Sequence, residues 1–239
     1  MTKNAFKEGI SVVLPAFNEE ENIKEAVTDA TDYLKGIKDS WEIIVVNDGS
    51  KDKTEEIVGK IIRSNKKVRL ITHPVNLGYG RSLSDGFLAS KYEYIFFTDS
   101  DRQFDIKALD VMWPLAKTGV VELVIGYRKN RKDPFLRKFL SRCYNILADW
   151  LFDLDVKDID CAFKIFNKKI FEKIDIESNR FFVNTEILAK ARYFKYKIVE
   201  VGVPHFPRKA GKSTVSLKYI PLTIKELIRI KKNLDNLAS

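Results

Sequence analysis

The chain has 239 residues, 45% hydrophobic and 31% charged, enough for one α/β domain with a substantial core. Its two cysteines, Cys143 and Cys161, exclude a disulfide scaffold, and without a CxxC or a neighbouring histidine they offer no thiolate metal site; a reducing, cytoplasmic setting is expected. The net charge of +9 points to anionic partners, and no uncharged apolar run approaches the ~20 residues of a membrane span or follows the first residues as a signal peptide would.

The first half alternates strands and helices. Residues 10–14 are a first expected strand, ended by Pro15, and 20–34 carry helical periodicity through Ile23, Val27, Ala30 and Leu34. Residues 43–46, nearly all β-branched, read as a strand covered on both faces. A helix at 54–62, a weaker strand at 68–71, a helix at 82–89 and a strand at 95–97 follow. Then come a helix at 106–116 and a strand at 123–125. This alternation predicts a mostly parallel sheet with helices on both faces, whose ligands bind beyond the carboxyl ends of the strands. Polar loops fall at each of those ends, at 18–22, 47–50, 73–80, 99–101 and 126–128. The second half offers a helix at 134–152, a strand at 162–166, a helix at 185–193, a strand at 198–201, a polar loop at 204–216 and an amphipathic helix at 219–237.

Thr98-Asp99-Ser100-Asp101 stands directly behind an apolar strand. Carboxylates two apart on an extended chain face the same way and repel unless a cation sits between them. Hard divalent ions take such oxygen ligands, and Mg²⁺ commonly adds the phosphate oxygens of a substrate. The pair therefore reads as a metal–diphosphate site in an enzyme acting on a nucleotide-activated substrate. Asp48, after the second strand, suits a base edge or a ribose hydroxyl, although Asp48-Gly49 also suits a plain turn. Gly78 and Gly80 bring backbone amides to a helix start, where a base or phosphate could approach. His73 and His205 read as structural.

Four motifs, Val13 to Glu19, Val46 to Ser50, Asn76 to Gly78 and Thr98 to Gln103, resemble the family-two inverting glycosyltransferases, which have the GT-A nucleotide-sugar fold. Gly126-Tyr127-Arg128, Asp158 to Lys164, Asn184 to Leu188 and Val203 to Ser213 look like the polyprenol-phosphate sugar synthases, a group that includes the dolichyl-phosphate mannose and glucose enzymes. The resemblance covers roughly residues 8–220. It implies a GT-A domain at 1–216 and a helical tail at 217–239. It also implies transfer of mannose or glucose from a GDP- or UDP-sugar to a polyprenyl phosphate.

Site roles follow from the same resemblance. Asp99, Asp101 and Gln103 would hold Mg²⁺ or Mn²⁺ with the diphosphate. Pro15, Phe17 and Glu19 would frame base and ribose, with Asp48, Gly78, Ser100 and Ser213 as further substrate contacts. Arg128, Arg208 and Lys212 would meet phosphates of donor or acceptor. Two positions depart from the family pattern: Ala162, where glycine is more frequent, and Arg102, expected to modify donor selection. A phosphate monoester is already ionised near neutrality, since its second pKa is about 6. It needs cations rather than a base; a sugar hydroxyl would need one, with Glu186 or Asp158 as the candidates.

The basic, aromatic-rich stretch 131–152 and the last helix are expected at an anionic membrane surface, peripheral to its cytoplasmic face. Three alternatives stand beside this reading: the same fold acting on a sugar hydroxyl, a non-catalytic nucleotide-sugar binder, and a nucleic-acid binder. No nucleic-acid recognition motif accompanies the charge, so no nucleic-acid partner is expected.

Overall fold

The computed structural model describes residues 6–129, 135–207 and 220–238. Its centre is a seven-stranded sheet in the order β3-β2-β1-β4-β6-β5-β7. The strands are β1 (Lys7–Ala16), β2 (Trp41–Asn47), β3 (Val68–Thr72), β4 (Tyr92–Thr98), β5 (Leu123–Lys129), β6 (Phe163–Asn167) and β7 (Ile198–Pro204). β1 pairs in parallel with β2 and β4, β2 with β3, and β5 with β7. β6 alone runs antiparallel, between β4 and β5. Because both neighbours oppose it, β4 and β5 point the same way. The loops after β1, β2, β3, β4 and β5 therefore share one edge, as the alternation predicts.

The side-chain period of two sorts the core into two halves. Val13, Ile44, Val46, Ile95 and Phe97 face one side; Val12, Leu14, Ile43, Val45 and Phe96 face the other. On the second side lie α1 (Ile23–Gly36), α2 (Thr54–Ser64) and α4 (Leu109–Lys117), seating Ile23, Val27, Val58 and Met112. The first side is covered by α3 (Tyr79–Ala89), α5 (Phe135–Phe152), α6 (Val183–Tyr193) and α7 (Ile220–Ala238). Leu227, Ile230 and Leu234 of α7 are buried in the same cluster as Ile187 of α6, so the C-terminal helix is part of the core packing. Among the described residues no helix is long and apolar enough to cross a membrane.

Several boundaries differ from the sequence expectation. β1 runs through Pro15 to Ala16, because Pro15 lacks only a donor and its carbonyl still accepts a bond from Ser100. α3 begins at Tyr79, earlier than its apolar periodicity indicates, since Gly78 turns the chain at φ 103°. The 106–116 segment divides into a 3₁₀ turn, Ile106–Ala108, and α4. Both cysteines are free, Cys161 buried and Cys143 exposed.

Candidate active site

Asp99 and Asp101 lie in the turn just past the last residue of β4 rather than on the strand itself. Ser100 points the other way, its buried hydroxyl donating to the Pro15 carbonyl at 2.7 Å. Ser100 anchors the turn to β1. Asp101 is buried and accepts from the Gln103 amide at 3.1 Å. The Gln103 side chain donates to the Phe206 carbonyl at 3.1 Å, and the Phe206 amide returns a bond to the Gln103 carbonyl. Gln103 thus ties the acidic loop to the segment after β7.

On the other flank, the Tyr79 hydroxyl donates to Asp99 Oδ1 at 2.9 Å. Burial first, then the charges of Asp99, Asp101 and Asp160, hold the Tyr79 phenol well above its ordinary pKa, so it stays a donor. Asp160 also acts on Tyr144, whose burial is the larger cause of its raised pKa; Tyr144 bonds the Thr185 hydroxyl. At the carboxyl edge the partly buried Tyr79 phenol thus feels the charges of Asp99, Asp101 and Asp160. Neither Tyr79 nor Asp160 receives a role in the sequence reading. The signal for Tyr79 is its position between two glycines, which marks a close backbone approach.

That approach is visible. A Cβ on Gly78 would lie 2.2 Å from the Asn179 carbonyl oxygen, and one on Gly80 2.0 Å from that of Ser178. The Gly80 amide donates to Asn179 O at 3.0 Å. Gly78 is therefore required by packing, whatever contact it makes with substrate.

Asp48 is committed within the protein. Its carboxylate accepts from the Leu77 amide at 2.8 Å, the Gly78 amide at 2.9 Å and His73 Nδ1 at 2.8 Å. It holds the loop after β3 in place. His73 bridges on to Asp85 at 3.0 Å, the structural role expected of it.

Arg128 and Glu186 also have partners within the protein. The Arg128 guanidinium forms a two-pronged pair with Asp158, at 2.7 and 2.6 Å. Burial pulls its pKa down, but the Asp158 carboxylate outweighs this and holds it above the ordinary value. Glu186, fully buried on α6, accepts from the Glu177 and Ser178 amides and pairs with Lys190 at 2.8 Å. Burial raises its pKa, yet the Lys190 bond and charge win and hold the carboxyl below its ordinary value. A carboxylate so satisfied is a poor proton acceptor.

Phe17 is exposed at the tip of the loop after β1, and Glu19 accepts from the Asn22 side chain at 2.7 Å. Pro15 is buried near the carboxyl end of β1. Arg102, at φ 58°, pairs with Asp29 of α1 at 2.9 Å. Beside Asp99 opens a groove of about 930 Å³ lined by Thr98, Arg102, Phe104, Phe163 and Phe206, among others. Arg208, Lys212 and Ser213 lie outside the described residues, as do Arg131 and Lys132.

The donor set tests the expected metal. Among the described residues, no three His, Cys, Asp or Glu side chains cluster as a protein cage. An ion that takes one or two carboxylates and completes its shell with diphosphate oxygens and water fits Asp99 and Asp101.

A doubly covered, mostly parallel sheet with an acidic turn at its carboxyl edge defines a nucleotide-diphosphosugar class of fold. The chain belongs to glycosyl transferase family 2, whose sequence model matches residues 11–175. It is 33% identical over 209 residues to dolichyl-phosphate beta-glucosyltransferase ALG5A of Trichomonas vaginalis, covering 81% of this chain and 64% of that one. The corresponding Dictyostelium discoideum enzyme is 31% identical over 216 residues, 81% of this chain and 65% of the relative. A dodecaprenyl-phosphate galacturonate synthase of Rhizobium johnstonii is 28% identical, covering 92% and 66%. The chain thus spans just under two thirds of the length of these relatives. Glucosyl-3-phosphoglycerate synthase of Mycobacterium tuberculosis, solved with Mn²⁺, UDP and its product, superposes with a TM-score of 0.72 at 19% identity, covering 95% of this chain and 80% of that one. The fold is of the GT-A type.

Proposed function

We propose that the chain transfers a hexose from a nucleoside-diphosphate sugar to a polyprenyl phosphate with inversion at the anomeric carbon. The observation that carries this reading is the state of the two carboxylates a hydroxyl acceptor would need as base. Asp158 is bound to Arg128, and Glu186 to Lys190 and two backbone amides. A phosphate acceptor needs no base. Its oxygen attacks C1, the bond from C1 to the diphosphate oxygen breaks, and the nucleoside diphosphate leaves with the electron pair.

Asp99 and Asp101 are the residues that would hold a divalent ion with the donor. When bound, Mg²⁺ or Mn²⁺ offsets the charge of the leaving diphosphate. We assign Phe17 and Glu19, on the loop after β1, to the base and ribose, and Arg208, Lys212 and Ser213 to the phosphates of donor or acceptor. The relatives named for dolichyl-phosphate glucosyl transfer favour glucose over mannose, and the UDP in the Mycobacterium tuberculosis structure is in keeping with a UDP donor. We assign this chemistry to residues 1–216 and read 217–239 as a tail packed on it.

Attachment to the cytoplasmic face of a membrane is supported by the outer side of α5. Phe139, Ile146, Leu147 and Trp150 are exposed there at helical spacing, beside exposed Lys138 and Arg142. Apolar and basic side chains on one helix face suit an anionic lipid interface.

The test is a panel of labelled UDP- and GDP-sugars incubated with polyprenyl phosphate and Mn²⁺ or Mg²⁺, followed by solvent extraction. Label in the organic phase supports the reading. Transfer only to water-soluble sugar acceptors would replace it with the hydroxyl-acceptor reading.

A further inference from the structure

We infer a second binding site, for an anionic glycerophospholipid, in the cleft between the last turns of α5, α6 and α7 at the amino edge of the sheet. The inference rests on the membrane attachment proposed above and adds a second point of contact to it.

Shape, charge and placement carry it. The cleft has a volume of about 930 Å³, and the buried side chains of Phe152, Ala189 and Leu234 line its apolar part. Its walls are tied together: Arg192 Nε of α6 donates to the Leu154 carbonyl at 2.7 Å, and the Lys197 amide to Glu122 at 2.9 Å. Lys195, Lys197 and Lys231 are exposed in the lining, where the carboxylates are those of Asp153 and Asp235. With Arg192 the cations outnumber the carboxylates, so the cleft favours an anion. Exposed Trp150 and Tyr193 stand beside these cations, and aromatic rings next to basic side chains suit the level of lipid headgroups. A free phosphate would leave the apolar part unused; an anion joined to an acyl chain fills both. The exposed apolar and basic face of α5 ends in this cleft, at Trp150. That helix has 18 residues, about 27 Å of length. Along β7 the cleft, at Ile198, lies roughly 16 Å from Val203 near the carboxyl edge. A lipid held here ties down the far end of α5, lays that helix along the bilayer and so fixes the tilt of the catalytic edge.

Trp150 reports on the site, because Trp41 and Trp113 are each only 6% exposed. The experiment titrates the full chain with dihexanoyl phosphatidylglycerol below its micelle concentration and follows tryptophan emission. The expected result is a saturable blue shift that disappears in Trp150→Phe. Lys195→Ala combined with Lys197→Ala alters exposed side chains away from α5, and a thermal melt checks that the fold is kept. At about fivefold per basic side chain, that double variant should bind about 25-fold more weakly. No saturable shift, an equal shift with dihexanoyl phosphatidylcholine, or unchanged affinity in the double variant overturns the proposal. Glycerophosphate binding as tightly as the lipid overturns the lipid assignment. Sedimentation with anionic vesicles in the absence of monomer binding overturns the cleft and leaves attachment through α5 standing; loss of both overturns both.

Discussion

Replacing Glu186 with Gln separates a structural carboxylate from a general base. The side chain is fully buried, and Lys190, 2.8 Å away, is almost as deeply buried. Removing one partner of such a pair costs about 3–5 kcal/mol, because the other charge is left uncompensated. Two features favour the low end. Lys190 keeps Glu177 at 3.0 Å and the Asp175 carbonyl at 2.6 Å, and the Gln carbonyl can still accept from the Glu177 or Ser178 amide. A cost of about 3 kcal/mol is expected, which at roughly 2–4 °C per kcal/mol for a chain of this size lowers the melting temperature by about 6–12 °C. Turnover at a temperature where the variant stays folded should fall by less than tenfold, whereas loss of a general base costs about 10²–10⁴-fold. Differential scanning calorimetry and initial rates of transfer give the two numbers. An unchanged melting temperature with turnover down by a factor of about 10³ would refute the argument and make Glu186 the base.

The pH dependence of the same pair has a definite sign. The native Glu186 carboxyl titrates below its ordinary value of 4.5, so its contribution is present above that value and is lost as pH falls through the native one. The stability gap between wild type and Glu186→Gln should therefore be full at neutral pH and close in acid, as read by urea denaturation; a gap that widens on acidification contradicts the assignment. Arg128→Ala strands a buried Asp158 and should cost about 3–5 kcal/mol, while the double variant with Asp158→Ala should recover part of it in the same assay. Gly80→Ala places a methyl group 2.0 Å from the Ser178 carbonyl oxygen, a backbone atom that cannot swing aside. It should destabilise by about 1–3 kcal/mol in a thermal melt. Phe139→Ser with Trp150→Ser alters side chains that are 54% and 79% exposed, so stability should change by no more than about 0.5 kcal/mol. Sedimentation with anionic vesicles should nevertheless fall several-fold, and undiminished sedimentation removes α5 as the attachment face.

The parallel half of the fold is legible because its strands are short β-branched or aromatic runs, each followed by a polar loop. Ile43 to Val46 could be little else. β6 is harder to place. Phe163 to Asn167 reads as a strand, but nothing local indicates that it enters antiparallel between β4 and β5. Only the pairing partners decide that. The acidic pair is equally plain in the sequence, since few structural reasons place Asp99 and Asp101 behind a buried strand. Individual roles are less legible. Arg128, Asp48 and Glu186 look like ligands because they are charged and stand in polar loops or at a helix start. Each has partners within the protein that local spacing does not reveal: Asp158, the Leu77 and Gly78 amides, and the 177–178 backbone. Spacing shows which residues reach one edge of the sheet; it does not show which of them already have partners there.

The central claim is that the turn after β4 binds the donor for transfer to a lipid phosphate. Its most direct test is organic-phase recovery of label from UDP-[¹⁴C]glucose with polyprenyl phosphate and Mn²⁺, comparing wild type with Asp101→Ala. The account predicts label in the lipid extract for the wild type and background counts for the variant. Equal recovery from both would contradict it.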